Sequence, residues 1–124
     1  MIRVIDHVNI ATENLAQTRD FFVDVLGLED GPRPDFGIPG HWLYAEGRAI
    51  VHLQLAKGPV VASRESALNH AAFEVTDLDA VAARLDTHGV AYQSFAPPGG
   101  QVRQLFLEDP NGVFVELNSP RPMA

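Results

Sequence analysis

A chain of 124 residues, 46% hydrophobic and 20% charged, is long enough to build a core and too apolar to remain disordered. A net charge of −7, with Lys57 the only lysine and no Lys/Arg cluster, excludes a phosphate-rich partner such as nucleic acid. The absence of cysteine excludes disulfides and thiolate chemistry, and no apolar run approaches the ~18 residues that suggest a membrane helix.

The N-terminal stretch MIRVIDHVNIA lacks the charged start, long apolar run and cleavage site of a secretion signal, so a cytoplasmic location is expected. Residues ~2–10 alternate and are β-branched, which predicts a strand. Asn14 is placed to cap a helix, with Gln17 as its capping-box partner. Leu15, Phe22, Val25 and Leu26 give that helix one apolar face, and Gly27 ends it. Three short strands are predicted near 28–36, 41–46 and 49–56, the first made irregular by Pro32, Pro34, Pro39 and Gly40. Residues 57–67 form a linker that is expected to be mobile.

The second half repeats the first. A strand is predicted at ~68–75, then a helix capped by Thr76 or Asp77 with Leu78, Val81, Ala82 and Leu85 on one face, ended by Gly89. Strands follow near 90–95, 102–108 and 112–118, the last two joined by Asp109-Pro110-Asn111-Gly112, a strong hairpin signal. The residues themselves align, 62–64 positions apart. Asp6-His7 matches Asn69-His70, Leu15 matches Leu78, and Gly27-Leu28 matches Gly89-Val90. Leu43-Tyr44-Ala45-Glu46 matches Leu105-Phe106-Leu107-Glu108, and Val51-His52-Leu53 matches Val115-Glu116-Leu117. Such ordered matches predict an α+β fold of two βαβββ modules, 1–56 and 68–118, with a tail at 119–124. Each module is small, so the two are expected to share one core.

The repeat puts His7 and His70 in the first strand of each half, and His52 and Glu116 in the last. Side chains alternate along a strand, so neighbours reveal direction. Ile5, His7 and Asn9 share a face; so do Ile50, His52 and Gln54, and Phe114, Glu116 and Asn118. The opposite rows are apolar and belong under the helices. A lone strand histidine is more often packed or on the surface, but four donors related by a repeat point to a divalent metal. Imidazole nitrogen and carboxylate oxygen suit Zn, Ni, Mn, Co or Fe. His52 has a competing reading, as a neighbour of the metal or of the substrate. His88, at a helix C-terminus, reads as structural. His41 fits either a pocket mouth or ordinary surface.

These residues resemble the vicinal oxygen chelate superfamily, which includes glyoxalase I, fosfomycin-resistance proteins, methylmalonyl-CoA epimerase, extradiol dioxygenases and bleomycin-resistance proteins. The resemblance spans about 2–118 and is carried by DHVNIATENLAQTRDFFVDVLGLE, GHWLYAEGRAIVHLQL, LNHAAFEVTDLDAVAARLDTHGVAY and QLFLEDPNGVFVELN. It implies an open, cupped, eight-stranded mixed sheet with helices outside, a homodimer, and one metal on His7, His52, His70 and Glu116. It also implies a small carbonyl or vicinal-oxygen substrate whose enediolate the metal stabilises, with Glu116 as catalytic base. Arg103, for an anionic substrate group, Asn9 and Trp42 are the candidate substrate-binding residues, Trp42 in an apolar wall with Tyr44 and Phe106. The sequence departs from glyoxalase I at His52, where a carboxylate is usual and the epimerase has Gln. It departs from fosfomycin transferases at Asn9, where Thr is usual, and at Ala96-Pro97-Pro98-Gly99-Gly100, in place of a potassium loop. Three functions follow: a glyoxalase-like isomerase or lyase, an Fe(II) ring-cleaving dioxygenase using His52, His41 or Tyr44 as its extra acid–base group, or a non-catalytic binder of a small molecule or drug.

Overall fold

The computed structural model describes residues 1–99 and 102–120. The chain divides into two compact units, Met1–Val60 and Val61–Ala124, and each is a βαβββ module. In the first, β1 (Val8–Thr12) leads into α1 (Leu15–Asp20), which widens into a π-helical turn at Phe21–Val25. Then follow β2 (Glu29–Gly31), β3 (Gly40–Ala45) and β4 (Arg48–Leu55). In the second, β5 (His70–Glu74), α2 (Leu78–Thr87), β6 (Gln93–Phe95), β7 (Val102–Glu108) and β8 (Phe114–Pro120) repeat the order. Each module forms a four-stranded mixed sheet, β1-β4-β3-β2 and β5-β8-β7-β6, in which only the first and last strands of the module pair in parallel. The fold is therefore α+β.

Local chemistry explains the helix boundaries. Asn14 Oδ1 accepts the Gln17 N–H at 3.0 Å, and Asp77 Oδ1 accepts the Ala80 N–H at 3.1 Å. The expected return contact from Gln17 is replaced: the Asn14 N–H donates to the Thr12 hydroxyl at 3.1 Å. That hydroxyl is fully buried, 2.9 Å from the Thr18 hydroxyl, so a polar pair pins strand to helix. Both helices end on a glycine with positive φ, Gly27 at 81° and Gly89 at 68°, a conformation that a Cβ disfavours.

The apolar rows pack as alternation predicts. Ile10, Leu43, Val51 and Leu53 lie beneath Phe21, Phe22 and Val25 in the first unit. Leu105, Leu107, Val115 and Leu117 lie beneath Leu78 and Leu85 in the second. Leu15 and Leu26, expected in the first core, are only half-buried, while adjacent Phe21 and Phe22 are both buried with their rings edge to face. The wider π turn accounts for this, since it advances each residue by less than 100° and lets two neighbours meet the sheet.

The first strand starts later than predicted. β4 offers partners only from Val51 upward to Leu55, matched by Val8–Thr12, so residues 2–7 lack a ladder within their unit and Ile2, Val4 and Ile5 are exposed. The predicted strand at 28–36 shrinks to Glu29–Gly31, because the three prolines after it cannot supply ladder donors. The segment read as a linker is tied into the second unit. The Ser63 hydroxyl donates to the Asn69 carbonyl at 2.6 Å and accepts the Phe114 N–H at 2.7 Å. The β7–β8 hairpin is closed by Asp109, whose Oδ1 accepts the N–H groups of Asn111 and Val113, both at 2.8 Å. The end of the predicted tail, 121–124, lies outside the described residues. Among those residues no helix is long and apolar enough to cross a membrane.

Candidate functional site

In the first unit, cross-strand register sets the polar face. Asn9, His52 and Trp42 lie opposite one another on β1, β4 and β3. His7, one residue before β1, stacks on His52 with ring centroids 3.6 Å apart and 9° between planes. Trp42 covers the other side of His52 at 4.3 Å, and Phe36 continues the column at 6.1 Å from Trp42. The Arg33 guanidinium lies 5.0 Å over the Phe36 ring. Asn9 donates to Gln54 Oε1 at 3.0 Å, which fixes the adjacent amides. Burial pushes the His52 imidazole below its ordinary pKa, and repulsion from His7 and Arg33 adds to that against the pull of Asp6. His52 is therefore neutral near pH 7, the form that ligates metals.

In the second unit, Ala72 lies opposite Glu116 in parallel register, and Phe106 opposite Glu116 across β7 and β8. His70, Gln104, Phe114 and Asn118 share that face by alternation. His70 Nε2 stands 3.5 Å from Glu116 Oε1, and Asn118 donates to Glu116 Oε2 at 3.0 Å. Phe106 and Phe114 stack at 5.4 Å beside them, lining an open groove of about 650 Å³ with Phe95, Gln93 and Ser94. Among the described residues no three His, Asp or Glu side chains are gathered into a group that could hold a metal ion.

The residue before each first-strand histidine holds that histidine's inner nitrogen. Asp6 Oδ2 accepts from His7 Nδ1 at 2.7 Å, and Asn69 Oδ1 from His70 Nδ1 at 2.9 Å. The hydrogen bond from His7 also lowers the Asp6 carboxyl below its usual pKa. The orientation of Asn69 is fixed, because its Nδ2 donates to the Arg64 carbonyl at 3.0 Å. With Nδ1 carrying the proton, a neutral His70 presents the bare lone pair of Nε2. That lone pair then faces a carboxylate oxygen. The pair can accommodate a cation, either a proton or a metal.

Arg103 does not share this face. It lies in the buried row of Leu105 and Leu107 and forms an ion pair with Asp79 on α2. The strand pleat instead puts Gln104, opposite Asn118, on the face that carries Glu116. His41 likewise turns away from His52, to Asp30 at 3.0 Å. Tyr44 stays on the polar face, but its hydroxyl is spent on the Pro32 carbonyl at 2.6 Å. Sequence reading did not single out Arg33 or the contacts that Asp6 and Asn69 make to the histidines. The Asp/Asn identity at the aligned positions was the available signal for the latter; nothing in the sequence marked Arg33.

The family model of the Glyoxalase/Bleomycin resistance protein/Dioxygenase superfamily matches residues 4–117. "Glyoxylase I 4" of Arabidopsis thaliana is 30% identical over 120 residues, covering 91% of this chain and 68% of that protein. A solved structure from Bacillus anthracis, assigned to the glyoxalase family, superposes with a TM-score of 0.82 at 25% identity over 98% of both chains. The fosfomycin resistance protein FosX of Listeria monocytogenes, solved with Mn(II) and 1S,2S-dihydroxypropylphosphonic acid, has the same fold. Its TM-score is 0.78 at 16% identity, over 98% of this chain and 95% of that one.

Proposed function

Because the chain belongs to the Glyoxalase/Bleomycin resistance protein/Dioxygenase superfamily, we propose that it is a divalent-metal-dependent isomerase or lyase of glyoxalase-like type, acting on a small carbonyl compound. His7, His52, His70 and Glu116 are the metal ligands in this reading. The observation that carries it is the His70–Glu116 pair, a lone pair and a carboxylate oxygen 3.5 Å apart with the imidazole tautomer set by Asn69. The donor chemistry fits: three imidazoles, one of them held neutral, and a carboxylate suit Ni, Zn, Mn, Co or Fe. The support of His7 by Asp6 and of His70 by Asn69 is of the kind that orients metal-bound imidazoles. Mn(II) in FosX adds precedent for such a metal on this fold.

When bound, the metal would supply Lewis-acid stabilisation of negative charge on vicinal substrate oxygens. The chain's own residues do the rest. Glu116 takes a proton from the substrate carbon and returns it to the neighbouring atom, while Asn118 holds its second oxygen. Gln104 and Asn9 present amides to substrate oxygens. Trp42, Phe106 and Phe114 exclude water and hold the carbon skeleton.

The ring-cleaving reading weakens on a specific point. Of its three candidate acid–base groups, His41 is turned to Asp30 and the Tyr44 hydroxyl is occupied, which leaves only His52. Elemental analysis of the wild type against His7→Ala, His52→Ala and Glu116→Ala tests the metal site. The expected result is near-stoichiometric metal in the wild type and large losses in the variants. Unchanged occupancy in all three would refute the site. Loss of solvent-proton exchange into an α-hydroxy carbonyl in Glu116→Gln, with metal retained, tests the base.

A further inference from the structure

Arg33 lies in the loop between β2 and β3, residues 32–39, and is half-buried. Its Nε is buried with no hydrogen-bond partner among the described residues. The other arginines described in contacts have carboxylate partners: Arg19 has Asp20, Arg64 has Glu108 and Arg103 has Asp79. Arg33 has no such ion pair among the described residues, in a chain whose net charge is −7. What holds the guanidinium is the Phe36 ring beneath it and the backbone at Gly40. A Cβ at position 40 would come within 2.8 Å of Arg33 Nη2 and would also strike the Leu53 carbonyl, so glycine opens the space that the guanidinium occupies.

The loop is built to keep that position. Pro32, Pro34 and Pro39 fix three φ angles, Tyr44 anchors the Pro32 carbonyl, and Asp35 is folded onto its own turn by the Gly37 N–H at 2.8 Å. Asp35 and Arg33 line the same open groove, of about 590 Å³, without forming an ion pair. A half-buried cation, positioned by stiff backbone and without an ion pair among the described residues, is complementary to an anion that arrives from outside. The ring column Phe36–Trp42–His52 runs from this guanidinium to the histidines of the proposed metal site.

We propose that Arg33 is the specificity-determining residue for an oxyanion on the substrate, a carboxylate or a phosphate-type group. The substrate is then a carbonyl compound with an anionic end, laid along Trp42 with its reacting end at His52. This rests on the polar face being the substrate face, but the anion contact itself needs no metal.

The test uses metal-free protein at low ionic strength, with Trp42, the single tryptophan, as the fluorescent reporter. Pyruvate and inorganic phosphate are titrated separately into wild type, Arg33→Gln and Arg33→Lys. A backbone amide NMR titration of the same samples covers the case of a silent Trp42. Saturable binding by the wild type, weakened about tenfold or more in Arg33→Gln and partly kept in Arg33→Lys, is expected. Binding of pyruvate alone assigns a carboxylate, and of phosphate alone a phosphate-type group. No saturable binding of either anion, or equal binding by wild type and Arg33→Gln, overturns the proposal. Metal uptake by Arg33→Gln is measured in parallel. If uptake is intact while anion binding ignores Arg33, the anion proposal alone fails. If the wild type takes up no metal yet binds anions through Arg33, the metal reading alone fails.

Discussion

Asn69 touches His70 but no substrate, and its replacement separates orientation from ligation. Asn69→Ala removes the 2.9 Å acceptor from His70 Nδ1 and the 3.0 Å donation to the Arg64 carbonyl. Both bonds are exposed, so their loss costs about 0.5–1.5 kcal/mol each in stability, against the ~5–15 kcal/mol of an ordinary domain. The fold survives. The imidazole, however, is released to rotate and to exchange tautomers. Loss of such an orienting partner weakens metal binding about 10–100-fold, or ~1.4–2.8 kcal/mol. Asp6→Ala should do the same at His7, where the lost bond is 2.7 Å long. Asn69→Asp restores an acceptor, as Asp6 provides in the first repeat, and should recover most of the affinity. The assay is competition for Zn or Ni against a chromophoric chelator, with thermal unfolding run beside it. The orientation argument fails if Asn69→Ala stays within roughly twofold of wild type while His70→Ala loses the metal. It fails equally if Asn69→Asp binds as weakly as Asn69→Ala.

Arg103→Ala should leave KM for any substrate unchanged and cost less than ~1 kcal/mol in urea unfolding, since its ion pair with Asp79 is solvent-exposed on the helix side. A large KM effect would return Arg103 to the substrate face. Asp109→Ala removes the acceptor of two backbone N–H groups and should destabilise by ~2–3 kcal/mol. Burial raises the Asp109 carboxyl, so its ionisation opposes folding: the contribution is most favourable at acid pH and is lost as pH rises through the native value. Asp109→Asn, which keeps an acceptor without charge, should therefore lose less stability than Asp109→Ala at pH 7; equal losses would contradict the burial argument. His52 is shifted the other way, its native pKa held below the unfolded one. Native His52 resists a proton that the unfolded chain accepts, so its contribution is intact above pH ~6.5 and is lost as pH falls below it. Metal-free wild type should lose more Tm than His52→Gln on going from pH 7.5 to 5.5, and parallel profiles would refute this.

The legibility of these features followed the range of the physics behind them. Caps and stops are local, and Asn14, Asp77, Gly27 and Gly89 were readable because their partners lie within a turn or two. The polar faces were readable because strand alternation is local and the apolar rows Val51/Leu53 and Val115/Leu117 had only one place to go. The start of β1 was not, since it depends on where β4 supplies a partner, more than forty residues away. The π turn was not, because only packing decides that Phe21 and Phe22 both face inward. Arg103 failed for a narrower reason. Arginine in a strand carries no sign of which row it joins, and the ion pair with Asp79 compensates a cation on the helix side. Direct alternation from Leu105 and Leu107 would have placed it correctly, and it would have directed attention to Gln104.

The repeat also shows how one scaffold divides its chemistry. The same strand position holds His52 in one unit and Glu116 in the other, and their neighbours follow suit. His52 sits between two rings and is kept neutral, which suits a ligand and rules it out as a strong base. Glu116 has only 12% of its side chain exposed, with Asn118 on one oxygen and His70 near the other, and is the proposed base. The uncompensated cation, Arg33, is carried by the unit that lacks the carboxylate. In the proposed reading an anionic substrate is recognised by the unit that does not carry Glu116. In that reading one repeat binds charge and the other moves a proton.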